Sequence, residues 1–360
     1  MKPALLTEIS CIKRVKTTTS RDMKLFNTGG IVTFFLAGFV MWQILGCTNP
    51  LINRYNHYMD VENYESARVL LEEEISKDPR NHEIQFMLGN VHLKLKNYKE
   101  ARDAFDSSLR ISFKHNEEIK HLLEKHYRLE MASGTEAINT QDFENAVLYL
   151  EKAKEIKPER HEVYPVLGFS YTRISQYKKA FENYKQAIEL DVRDVESIFA
   201  LSELAFQRKD YLEATDYAKR ALSVDKSFYP AQEILVYTGL ELRDYEMAEQ
   251  AFKAIPNDKR SKVLSKNYPF ELFNQGEYDR ALPHLEDLVK SNHDLDVTQA
   301  LAETYYHLND FDKTAEYYEI LWSENPSNRD ALMNIIHAYE MMGSNYKATE
   351  YREYLSNLNK

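Results

Sequence analysis

The densest group of metal-capable side chains in this 360-residue chain is His115, His121 and His126. Steps of six and five residues turn successive members onto different helix faces, whereas a zinc-binding helix presents two histidines at i and i+4. His82-Glu83 and His161-Glu162 each lack the second histidine of an HExxH motif. No GxxxxGK[ST], GxSxG or GxGxxG motif occurs, so the chain has no phosphate cradle, nucleophile elbow or dinucleotide fingerprint. Cys11 and Cys47 are the two cysteines, both near the amino terminus, which excludes a disulfide framework or thiolate cluster in the body. The run Glu72, Glu73, Glu74 has the character of a solvated helix face. The expectation is a non-catalytic protein with no cofactor and no metal site.

What the chain does carry in quantity is helix. Hydrophobic residues make up 43% and aromatics 12%, with 25 Tyr and 17 Phe against 10 Gly and 10 Pro, a balance that favours an all-α fold. In the stretch 168–191, Tyr177, Ala180, Tyr184 and Ala187 fall at i, i+3, i+7 and i+10 on one helix face, and Leu167, Tyr171 and Ile174 make an earlier stripe. Ser175 and Gln176 between them leave room for a tight turn alone, so two helices fold back antiparallel. Gly168 and Ala180 are small where the two helices cross, and the four-residue stripe is read as holding the hairpin together.

Similar stretches recur. The small residue at the crossing is Ala67, Ala101, Ala146, Ala180, Ala214, Ala248, Ala281, Thr314 and Ala348, at spacings of 34, 45, 34, 34, 34, 33, 33 and 34. An aromatic stands three residues earlier in eight of the nine, and Pro79, Pro158 and Pro326 follow twelve residues later, where they stop the second helix. Gly89, Gly134 and Gly168 hold the small position twelve residues before the marker. This pattern, over roughly 51–357, resembles the tetratricopeptide repeat. The resemblance implies a right-handed superhelix of about nine helical hairpins whose first helices line a concave groove for a peptide or partner helix. The long spacing predicts an insertion near 112–125 that lengthens the first helix of the third repeat. Pro256 and Pro269 predict a bend near 256–269, since proline inside a helix costs about 3 kcal/mol.

Aligning the first helices on the crossing position places Asn90, Phe169, Arg173, Phe199, Glu203, Phe206, Tyr237 and Tyr306 on the groove side as candidate partner-binding residues. The rings could anchor a partner, with Arg173 and Glu203 orienting it, or could pack between neighbouring hairpins as core. Repeats of this family that bind chaperone carboxylates carry Lys, Asn and Arg along the groove. Here Phe86, Pro165 and Phe199 stand at such positions, which disfavours that ligand class.

Residues 31–46 form one apolar run, IVTFFLAGFVMWQILG, behind Lys13, Arg14, Lys16, Arg21 and Lys24. At 1.5 Å per residue it covers about 24 Å, short of a roughly 30 Å hydrocarbon core, so it suits a signal-peptide core better than a spanning helix. Ile44-Leu45-Gly46-Cys47 resembles the lipobox of bacterial lipoproteins, which implies cleavage before Cys47 and acylation of its thiol; Leu45 departs from the smaller residue usual there. Residues 1–46 are then a signal peptide or membrane anchor, with a functional start at Met1 or Met23, and 47–360 the repeat array. Thr48, where lipoproteins retained in the inner membrane of enteric bacteria have Asp, implies the outer membrane.

The net charge is −11, and removing 1–46 leaves 40 basic and 55 acidic residues, a balance that argues against nucleic acid as a partner. The functional expectation is an envelope-anchored scaffold or adaptor that binds protein or peptide partners through its groove. Two alternatives are a single-pass membrane-anchored regulatory or sensory protein with its repeats outside the cytoplasm, and an accessory subunit of a cell-wall enzyme.

Overall fold

The computed structural model describes residues 49–291 and 294–358. Cys47 and the apolar run 31–46 lie outside the described residues. Among the described residues there are 18 α-helices and no strand, and no helix is long and apolar enough to cross a membrane.

In chain order the helices pair into nine hairpins: α1 (Pro50–Asp60) with α2 (Tyr64–Lys77), α3 (His82–Leu95) with α4 (Tyr98–Ile111), and α5 (Asn116–Asn139) with α6 (Phe143–Ile156). Then come α7 (Val163–Arg173) with α8 (Tyr177–Leu190), α9 (Val195–Gln207) with α10 (Tyr211–Val224), and α11 (Tyr229–Leu242) with α12 (Tyr245–Ala254). The last three are α13 (Lys262–Asn274) with α14 (Tyr278–Ser291), α15 (Leu295–His307) with α16 (Phe311–Glu324), and α17 (Arg329–Met341) with α18 (Asn345–Asn357). A 3₁₀ turn, Phe113–His115, precedes α5, which at 24 residues is the longest helix described.

All nine crossing residues are fully buried, Thr314 included; its Oγ1 donates to the Asp310 carbonyl at 2.8 Å, so a hydroxyl fits where the other repeats have methyl. The need for small residues is steric. A Cβ on Gly168 would sit 2.7 Å from the Tyr184 ring, and one on Gly239 would sit 2.8 Å from the Ala248 backbone nitrogen. Of the stripe on α8, Ala180, Tyr184 and Ala187 are buried, but Tyr177 is 46% exposed. It is the first residue of α8, beside the turn, and stays exposed where Tyr98, the first residue of α4, is buried against Glu130 of the next repeat.

Turns and helix ends follow one plan. The residue two places before each second helix has a left-handed backbone: Glu62, Lys96, Gln141, Ser175, Lys209, Arg243, Gly276, Asn309 and Gly343. Second helices mostly end ten residues after the crossing residue whether or not proline follows. Asp191 and Asp225 end α8 and α10 without one, each folding its carboxylate back onto the backbone N–H two residues on, at 2.9 and 2.8 Å. Pro269 does not interrupt α13; it is buried within that continuous helix, in which Ser265 lacks the N–H partner four residues on.

The helices divide by packing into two compact units, 49–158 and 159–358 within the described residues, so that 256–269 is internal to the second. In the first, one core gathers Tyr55, Leu70, Leu71, Ile84, Leu88 and Val91. In the second, first helices pack on first helices, α9 on α11, α11 on α13 and α13 on α15. A carboxy-terminal core there gathers Tyr318, Ile335, Ile336 and Tyr339.

Candidate interaction surface

In the second unit, Phe199, Glu203 and Phe206 lie at i, i+4 and i+7 on α9, on the face next to α11. Their neighbours are aromatic. Phe199 meets Phe228 edge to face at 5.2 Å between ring centroids, while Phe206 lies 5.5 Å from Tyr211 and 6.3 Å from Tyr237. Phe199, Phe206 and Tyr237 are half-buried, so each ring is partly core and partly surface.

The charges among these rings are negative. Glu203 touches solvent, yet its carboxyl is held above the usual carboxylate value, first by desolvation among its neighbours and then by Glu196. Burial, with Glu233 second, raises the Tyr237 hydroxyl, and burial, with a hydrogen bond to Glu241 second, raises that of Tyr211. Glu203, Glu233 and Glu241 thus lie among the aromatic side chains of α9, α10 and α11, with Glu196 close to Glu203.

The remaining candidates separate. Phe169, 43% exposed, and the exposed Arg173 stand on α7. Tyr306, 38% exposed, belongs to a second aromatic group: it lies 5.6 Å from His337 and 6.0 Å from Phe311, and its hydroxyl and the His337 Nε2 are 3.1 Å apart. His307 beside it stacks on Tyr278 at 4.2 Å. Asn90 is half-buried on α3 in the first unit. Within the second unit, α9 and α11 carry the most continuous group of these candidate positions.

Phe228 and His337 join these groups without any signal in the periodic pattern, because each owes its place to the next repeat. Phe86, aligned with groove positions by sequence, is buried and stacks on His115 at 4.0 Å. The structure also brings His82 and Glu83, on the first turn of α3, next to His115, so that one donor atom from each lies within 4.8 Å of the others. Spacing along one helix could not disclose this set, because His115 belongs to a turn more than thirty residues away.

The fold defines a class first: an array of repeated helical hairpins. Tetratricopeptide repeat family models match residues 54–112 and 271–329 in one case and 131–160 in another. The chain carries tetratricopeptide repeats, and its fold is all-helical, consistent with an α-solenoid of that kind. Among curated proteins it is similar to the BBSome complex member BBS4 of Bos taurus, at 22% identity over 65% of this chain and 55% of that protein. It is also similar to the CTR9 homolog of Arabidopsis thaliana, at 28% over 35% of this chain and 12% of that protein. The chain thus spans about half of one of these relatives and about an eighth of the other. Similar solved structures include a tetratricopeptide repeat protein from Parabacteroides merdae, with TM-score 0.45 and 15% identity, covering 66% of this chain and 94% of that one. Another is pilF of Pseudomonas aeruginosa, with TM-score 0.34 and 18% identity, covering 63% and 96%.

Proposed function

We propose that this protein is a non-catalytic adaptor of the bacterial cell envelope, tethered through an acylated Cys47, that holds a protein partner on the first-helix face of its second unit. Proteins built from tetratricopeptide repeats bind protein or peptide partners, and the bovine relative is by name a complex member. The observation that carries the reading here is the group Phe199, Glu203, Phe206 and Tyr237, where partly exposed rings alternate with carboxylates. Such a surface suits a segment with apolar anchors and a lysine or arginine, whose charge would relieve the carboxylates crowded among the rings.

The anchor rests on the sequence Ile44-Leu45-Gly46-Cys47 after a basic and then an apolar segment. An acidic body is repelled by anionic headgroups, so the acyl chains and not the protein surface supply attachment, and Thr48 points to the outer membrane.

Two experiments test the parts separately. Changing Phe199 and Phe206 together to Ala should remove specific partners from those captured by in-cell crosslinking; an unchanged partner set refutes the surface. Cys47→Ser should abolish acyl-chain incorporation and leave a larger precursor, and normal processing of that variant refutes the tether.

A further inference from the structure

We propose that His82, Glu83 and His115 form a binding site for a zinc-class divalent transition metal ion, joining the start of α3 to the turn that precedes α5. Two imidazole nitrogens and a carboxylate oxygen are a donor set for zinc and its first-row neighbours, not for the all-oxygen cages preferred by calcium or magnesium. The three donors lie within 4.8 Å of one another. Zinc bonds of about 2.0–2.1 Å place tetrahedral donors near 3.4 Å apart, so the set needs its donors drawn together by no more than about 1.4 Å.

The surroundings match those of a metal ligand shell. His115 Nε2 faces Glu83 Oε2 at 2.9 Å, and its other ring nitrogen, Nδ1, lies 3.5 Å from Glu118 Oε2. On binding, Nε2 would exchange its contact with Glu83 for the ion, while Glu118 stands behind Nδ1, where a carboxylate can orient a ligating histidine. Lys114 Nζ takes the other Glu83 oxygen, Oε1, and so turns Oε2 toward the histidine. The Phe86 ring, stacked flat on His115 at an interplanar angle of 6°, fixes the imidazole plane and walls off water on one side.

His82 supplies an independent sign. Its Nδ1 is buried and has no hydrogen-bond partner among the described residues, a costly state for a ring nitrogen unless something binds there. Three protein donors leave a further position for water or a small ligand. Because the donors come from segments some thirty residues apart, the bound ion would also staple the long-helix insertion onto the second hairpin.

The test uses the full chain carrying Cys11→Ser and Cys47→Ser, so that thiols do not contribute, titrated with zinc chloride by calorimetry and with cobalt(II) by visible absorption. One equivalent should bind, with cobalt giving the intense d–d bands of a low-coordinate site. His82→Gln, Glu83→Gln and His115→Gln should each weaken binding by more than about tenfold at unchanged helical circular dichroism, and Glu118→Gln by about tenfold. His121→Gln and His126→Gln should leave it intact. The proposal is overturned if no saturable one-equivalent binding occurs, or if folded His82→Gln and His115→Gln proteins bind like the parent.

Discussion

At the scale of the residue, the array depends on backbone conformations that its side chains do not favour. Seven of the nine turns place a residue with a Cβ in the left-handed region, a conformation that costs an L-residue about 1–2 kcal/mol relative to the right-handed one. Glycine removes that cost but loses more entropy on folding, so the net gain is smaller. Lys209, exposed with φ of 63°, is a clean place to measure it. Lys209→Gly should raise stability by about 0.5–1 kcal/mol in urea unfolding, and Lys209→Val should lower it. Equal stability in all three would mean that the turn relaxes out of the left-handed region.

At the scale of the element, the aromatic that begins the second helix reaches forward to the next repeat in at least three hairpins. The Tyr98 hydroxyl donates to the buried Glu130 at 2.5 Å, Tyr245 donates to Gln275 at 2.9 Å, and Tyr278 stacks on His307. Tyr98→Phe keeps the ring and removes the donor, leaving a buried carboxylate short of a partner. Loss of about 1–3 kcal/mol is expected, and Tyr245→Phe, whose partner is neutral and less buried, should cost less. A second element-level effect concerns His284 on α14, packed 5.0 Å from Phe252 and 5.1 Å from Tyr268. Burial, the largest influence, holds its pKa below 6.5 in the folded chain. Since the unfolded chain binds this proton more readily, stability is full above about pH 6.5 and declines as pH falls toward the depressed folded value. His284→Gln should flatten this part of the profile between pH 7.5 and 5, read as the difference in urea midpoint from the parent. A parallel profile would show that the imidazole titrates freely.

At the scale of the whole molecule, repeats stabilise one another through nearest neighbours, so damage should stay local. Ala214 is fully buried where α9 and α10 cross, and a larger side chain there costs about 1–3 kcal/mol. In Ala214→Leu, amide hydrogen exchange should accelerate mainly in α9 to α12, with residues 49–158 keeping their protection. Acceleration spread evenly over the chain would mean that the array folds as one cooperative block. The acidic balance also operates at this scale: with carboxylates concentrated near the rings of α9 and α11, partner binding through that face should weaken as salt rises.

The amino-acid order by itself determined the hairpins, their number and their crossing points. A helix crossing tolerates no bulk, so small residues recur at a fixed period and all nine are buried where that period puts them. The period could not reveal what lies across from each residue in the next repeat. Tyr177 shares its position with Tyr98, yet one is 46% exposed and the other buried against Glu130. Phe199, Phe206 and Tyr237 are half-buried, while Phe169 is 43% exposed, because burial depends on which neighbour covers each ring. His82, Glu83 and His115 show the same limit most plainly. Their spacing matches no helical metal motif, and only the turn that carries the chain from α4 back to α5 brings the three donors together.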